Sequence, residues 1–172
     1  NIEAIQKIML ENITVQEPND IPFPQADAFE RVINLCELLK QKNSLTKEEI
    51  TENYDFDKRQ TNYYTDAGRY LGLIDKTMTE GIIIFSLTKK AEGLFKQSLI
   101  MRQIEFIKLI LSHSSFKQTF ELYLQKAAPP AKDEIVEIMK NSDLQNLNKE
   151  STFQRRASTV LSWVNWIFNQ IE

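Results

Sequence analysis

The 172-residue sequence predicts a mainly α-helical chain with one small β element, an α+β fold. Three observations predict it. Four glycines and five prolines are too few for a turn-rich all-β chain. Apolar residues recur at spacings of three and four along most of the length, as one face of a helix requires. One run alone, Ile82-Ile83-Ile84-Phe85-Ser86, is β-branched and continuous in the manner of a strand.

The elements run in order along the chain. Ile2, Ile5, Ile8 and Met9 predict a first helix, and Pro18, Pro22 and Pro24 keep the next stretch from continuing it. Residues 1–24 read as a helix and linker arm ahead of the first domain. Phe29, Val32, Ile33, Cys36 and Leu39 predict an amphipathic helix over 26–42. Thr46, three residues before Glu49, is a capping-box signature that starts a short second helix. Asp57 caps a third over 58–71, with Tyr63, Ala67, Tyr70 and Leu71 inward and Gly72 ending it. Leu73 to Lys76 reads as extended and Thr77 to Gly81 as a turn, leading into the strand run. Thr88 then opens a helix carrying Ala91, Leu94 and Phe95. Three helices and then a hairpin is the order of a winged helix-turn-helix, here over 25–98. An isolated hairpin is marginal, so it must rest on the helices.

The second half restarts the helical pattern without an obvious wing. Ile100, Ile104, Ile107 and Leu111 mark one helix, and 116–125 marks another. Pro129-Pro130 is a break. Ile135, Val136 and Met139 mark the next helix, a polar stretch spans 141–149, and a long last helix covers 151–171. Residues 99–172 read as a second, winged-helix-like domain, making a tandem winged helix-turn-helix.

Two helices echo each other. Setting Arg59 against Arg155 places Ala67 opposite Trp163, Tyr70 opposite Trp166 and Leu71 opposite Ile167. Each begins polar and basic and ends in an apolar anchor, as a helix must if its first turns enter a major groove. Arginine reads guanine edges, asparagine and glutamine read adenine, and hydroxyls reach phosphates. Lys58, Arg59, Gln60, Asn62 and Tyr63 form this set on the first helix. Thr152, Gln154, Arg155, Arg156, Ser158 and Thr159 form it on the second. Helical spacing also makes Tyr63, Tyr64, Trp163 and Trp166 candidates for ordinary core aromatics. Thr77-Met78-Thr79-Glu80, at the wing tip, carries no basic residue, so little DNA contact is expected there.

Charge and composition bound the function. The net charge is −3, with 21 basic against 24 acidic residues, so non-specific DNA affinity should be weak and sensitive to salt. No run of about 18 apolar residues predicts a membrane span. The chain opens on Asn1, with no signal peptide, which suggests a fragment or a processed product and a cytoplasmic setting. The one cysteine, Cys36, excludes an intramolecular disulfide and reads as a small buried hydrophobe. The one histidine, His113, excludes a multi-His zinc site and reads as a partly exposed helix-end residue. There is no GxxxxGK[ST] and no GxGxxG, and no lysine has Asp or Glu two positions before it, as a restriction-type nuclease strand requires. No catalytic site, metal or cofactor is therefore expected within the chain.

Residues 56–74 carry Arg59-Gln60, Tyr63-Tyr64 and Tyr70-Leu71-Gly72-Leu73 ahead of a wing that ends in Leu87-Thr88. Near the C-terminus stand Arg155-Arg156, Thr159, Ser162-Trp163 and Trp166-Ile167. Together these resemble segments of type II restriction endonucleases and related restriction-system proteins, over roughly residues 22–171. The resemblance implies the DNA-recognition part of such a system, with duplex DNA as partner and a nuclease domain elsewhere in the same or a partner chain. Arg59, Gln60, Asn62 and Tyr63, with Arg155, Arg156 and Thr159, would then be the reading residues. The alternative is a winged-helix scaffold used for protein interaction or dimerisation, which predicts an exposed apolar patch.

Overall fold

A computed structural model describes residues 2–145 and 147–171. The chain is mainly helical with one small antiparallel sheet, and it divides into two compact units. One is Pro24–Arg102. The other joins Asn1–Phe23 to Gln103–Glu172.

In the first unit the order is α2 (Phe29–Lys42), β1 (Ser44–Thr46), α3 (Lys47–Tyr54), α4 (Lys58–Tyr70), β2 (Ile74–Thr79), β3 (Ile82–Leu87) and α5 (Lys89–Phe95). Helix α2 buries Phe29, Val32, Leu35, Cys36 and Leu39, the stripe its periodicity marks out. It begins at Phe29, three residues later than expected, and its N-cap Ala28 has no capping side chain. The Ala28 N–H donates instead to the Tyr64 hydroxyl at 3.2 Å. Helix α3 carries the full capping box: the Glu49 N–H donates to the Thr46 hydroxyl, and the Thr46 N–H donates to the Glu49 carboxylate at 2.9 Å.

The sheet departs from expectation in two ways. A short strand, β1, pairs antiparallel with β3, with Leu45 opposite Phe85, so the order is β1-β3-β2. The inward-facing Leu45 and Phe85 are both buried, which explains why three residues suffice to hold that strand. The hairpin is also longer than predicted, because Thr77 to Thr79 belong to β2 and pair with Ile84 to Ile82. Only Glu80 and Gly81 turn, both with positive φ (52° and 79°). A two-residue turn of that hand matches the twist of the flanking strands and needs no run of Gly, Asn or Pro. The polar Thr-rich stretch is therefore strand, although its composition reads as turn.

Helix α4 and its C-cap bury Ala67, Tyr70 and Leu71 as expected, and the difference falls at Tyr63. Tyr64, Thr61, Thr65, Ala67 and Gly68 are inward, and Tyr63 is half-exposed rather than buried. Gly68 is where α4 meets β2: a Cβ there would lie 2.3 Å from Ile74 Cδ1 and 2.7 Å from its Cγ1. Thr88 joins the far end. Its N–H donates to the Leu73 carbonyl (3.0 Å), and its hydroxyl donates to the Gly72 carbonyl (2.8 Å) while accepting from the Ala91 N–H (3.1 Å).

The second unit contains α1 (Ile2–Glu11), most of α6 (Leu99–Leu111), α7 (Ser114–Lys126), α8 (Lys132–Lys140) and α9 (Glu150–Ile171). Among the described residues it holds no strand. Trp163, with no exposed surface, stacks on Phe116 at 5.0 Å, and Phe116 stacks on Phe23 at 5.6 Å. The segment expected to be an arm is fastened within this unit. Asn12 Nδ2 donates to the Lys108 carbonyl (2.9 Å) and the Val15 N–H to the Ser112 carbonyl (2.9 Å). His113 is not a partly exposed helix end. It is 4% exposed, and its Nδ1 lies 2.5 Å from Glu17 Oε2. Burial of an imidazole requires such a partner, and a partner 96 residues away is invisible to local pattern. No helix of the described residues is long and apolar enough to cross a membrane.

Candidate nucleic-acid interface

Helix α4 is held on one side and bare on the other. Its start is fixed by a second capping box: the Gln60 N–H donates to Asp57 Oδ1 (2.7 Å), and the Asp57 N–H donates to Gln60 Oε1 (3.3 Å). Its inner face is tied to α3 through two hydroxyls 2.8 Å apart, those of Thr51 and Thr61. Below them Phe56 stacks between Tyr54 and Tyr64, at 5.1 and 5.4 Å, with the Arg31 guanidinium over its ring at 5.6 Å. These contacts leave Lys58, Arg59 and Asn62 exposed on the first two turns, with Gln60 and Tyr63 half-exposed beside them. Arg59 and Asn62, three apart, share a face. Gln60 is the member of the predicted set already engaged, because its amide oxygen serves the cap. Further along, Arg69 and Asp66 pair with each other at 3.0 Å.

One basic residue near this face was missed. Lys47 opens α3 and lines a shallow groove of about 260 Å3 together with Thr51, Lys58, Glu48 and Glu52. The capping-box signature located the start of α3, but only the angle between α3 and α4 brings Lys47 to Lys58. The groove holds both signs of charge. In the same cap, hydrogen bonds from the Thr46 N–H and hydroxyl hold the Glu49 carboxyl below its usual range.

The predicted residues on α9 fare differently. Arg155 and Ser158 are exposed and share a face. Thr152, Gln154 and Arg156 are half-buried, and Arg156 Nε is interior. Thr159 has no exposed surface, so it cannot touch a ligand from where it stands. It lies one residue from Val160, inside the stripe of Phe153, Ala157, Val160, Trp163 and Val164 that roots the helix. Gln154 Nε2 donates to Glu150 Oε1 (3.1 Å) and Asp133 Oδ1 (3.4 Å). Glu150 also meets Lys140 at 2.7 Å, which lowers the carboxyl pKa and raises that of the amine. The start of α9 is thus flanked by an α8 carboxylate, Asp133, and an α8 amine, Lys140, that its own sequence did not reveal. Trp163 and Trp166 are core residues, as their spacing implied.

Charge is unevenly shared. Residues 24–102 contain 12 Lys and Arg against 12 Asp and Glu, leaving 9 against 12 of the chain's 21 and 24 for the remainder. Since phosphate attraction supplies non-specific affinity, the first unit is the better placed of the two.

The family model of a domain of unknown function, DUF7226, matches residues 31–172. The chain belongs to the DUF7226 family. No curated protein and no solved structure matches it. The family match spans α4 and α9 alike, so both candidate helices are part of the family's own fold.

A larger concavity than the groove beside Lys47 lies in the second unit, a half-open cleft of about 530 Å3. Glu17, Ser114, Ser142 and Asp143 are among its walls. Among the described residues no three His, Cys, Asp or Glu side chains gather to hold a metal.

Proposed function

We propose that residues 24–102 form a winged helix-turn-helix and that the chain binds double-stranded DNA in a sequence-specific manner. In this reading α4 enters the major groove. The observation that carries it is the bare outer face of α4, where Lys58, Arg59 and Asn62 are exposed over a fully anchored inner face. Support also comes from the order helix, short strand, two helices and hairpin, with the short strand closing on β3. Arg59 suits bidentate recognition of guanine and Asn62 of adenine, while Lys58 and Lys47 suit phosphate. On α9 only Arg155 and Ser158 are disposed for a further contact, and we assign them backbone rather than base contacts.

The restriction-system reading, in which this chain recognises DNA and a nuclease elsewhere cuts it, rests on the motif resemblance. It assigns the chain recognition and no bond-breaking chemistry. The test is a titration against a random duplex pool at two salt concentrations, followed by sequencing of the bound fraction. We expect affinity that falls with salt, an enriched motif, and a loss of about 1–3 kcal/mol in Arg59→Ala at one position of that motif. Absence of binding at low salt overturns the proposal. The exposed Met78 (69%) and Ile82 (51%) of the wing favour a second use of the same scaffold, as a protein-interaction surface.

A further inference from the structure

The wing has a free side. Strand β2 is the outer strand in the order β1-β3-β2, and all of it except Ile74 is exposed. Only one charged residue, Glu80, occurs between Thr77 and Leu87. Met78 and Ile82 stand open to solvent, and Ile83 and Ile84 are half-covered. An apolar hairpin with an unpaired edge is a template for another strand.

The turn fixes which backbone groups are available. A two-residue turn closed by Thr79 and Ile82 makes that pair a hydrogen-bonded one, and hydrogen-bonded and open pairs then alternate along an antiparallel ladder. Asp75, Thr77 and Thr79 therefore direct their N–H and C=O groups to β3. Lys76 and Met78 direct theirs outward.

We infer that a second copy of this chain pairs with the β2 edge, antiparallel, about a two-fold axis at Thr77. A two-fold pairing must oppose outward residues to outward residues. Centring it on Lys76 would set two ammonium groups directly opposite each other, which is unfavourable. Centring it on Met78 shortens the overlap to the tip. Centring it on Thr77 sets Lys76 opposite Met78 of the second copy and places Glu80 of that copy on the neighbouring diagonal, within reach of the lysine. Each ion pair occurs twice, each Met78 is covered by a lysine stem, and the two threonines face across the axis. The charges of the edge are thereby complementary to themselves. This inference stands independently of DNA binding.

Sedimentation velocity of the full chain, from micromolar to near-millimolar concentration, tests it. Five paired strand residues a side, Asp75 to Thr79, make a small interface, so a weak, reversible dimer is expected. Lys76→Glu sets two carboxylates together at each diagonal and should weaken self-association about tenfold. Adding Glu80→Lys restores the complementary pairs and should bring the affinity back, which a mere folding defect would not do. Met78→Pro removes an outward N–H that β3 does not use and should abolish the dimer while leaving the far-UV spectrum unchanged. A chain that stays monomeric throughout overturns the inference and leaves the wing to DNA or to another protein. A dimer indifferent to Lys76→Glu and Met78→Pro overturns it equally, since another surface then holds the copies together.

Discussion

The Thr51–Thr61 contact between α3 and α4 gives the sharpest test of the fold that presents α4. The two hydroxyl oxygens are 2.8 Å apart, and the Thr51 hydroxyl also donates to the Lys47 carbonyl at 2.7 Å. A hydroxyl has one proton, so Thr51 spends its own on Lys47 and must accept from Thr61. Replacement by valine, nearly isosteric, is then asymmetric. Thr61→Val removes the donor and leaves Thr51 satisfied, a net cost of about 1 kcal/mol. Thr51→Val removes the acceptor and strands a donor with no exposed surface, a cost of about 2 kcal/mol. The double variant removes both groups and should cost no more than Thr51→Val alone, a non-additivity that a double-mutant cycle reads directly. Urea unfolding followed by tyrosine signal is the assay. Tyr54, Tyr63, Tyr64 and Tyr70 all lie in this unit, whereas Trp163 and Trp166 lie in the other. Equal costs for the two single variants, or a double variant equal to their sum, would refute the donor assignment and with it the brace.

Three further outcomes are expected. Gly68→Ala should lower stability by about 1–3 kcal/mol despite its better helix propensity, because the new Cβ would lie 2.7 Å from Ile74 Cγ1, and Ile74→Val should reduce the penalty by removing Cδ1; thermal melts of both backgrounds decide. Thr88→Val should cost about 1–2 kcal/mol by uncapping α5 and releasing the Gly72 carbonyl, and a denaturation midpoint equal to wild type would exclude that role. Burial, aided by the Glu37 charge, pushes the Cys36 thiol from 9.0 up to about 12, so folding holds it protonated. The raised value sets the sign: its contribution is full below pH 9 and is lost as pH rises toward 12. Stability should fall across that window and fall less in Cys36→Ala, while rapid alkylation of the native thiol at neutral pH would contradict its burial.

What the sequence disclosed was whatever local chemistry dictates. The Thr46/Glu49 cap, the Asp57 start of α4, the α2 stripe and the strand at Ile82 are each written within a few adjacent residues. What it concealed depends on distant partners. The strand at Ser44 exists because Phe85 lies beside it, and His113 is interior because Glu17 reaches it. Thr159 shows the same limit at the candidate site. A hydroxyl among Arg155, Arg156 and Ser158 fits a reading helix in composition, yet the turn of the helix carries it into the core. On α4 the polar set survived better, because Asp57 fixes its first residue and so decides which of the next six face outward.

The neutral charge of the first unit bears on how recognition and self-pairing fit together. A monomer with two or three accessible cations on one face releases few counterions and holds non-specific DNA weakly. Two copies joined across Thr77 would offer two α4 helices related by a two-fold axis, doubling the phosphate contacts without adding any basic residue. Such a dimer demands a target with matching symmetry, because half-site spacing follows the geometry of the protein. The motif enriched from the random pool therefore separates the two proposals. An inverted repeat lost in Lys76→Glu, with its half-site still bound weakly, requires both. A motif without symmetry, bound equally well by Lys76→Glu, keeps α4 as the reader and removes the wing pairing.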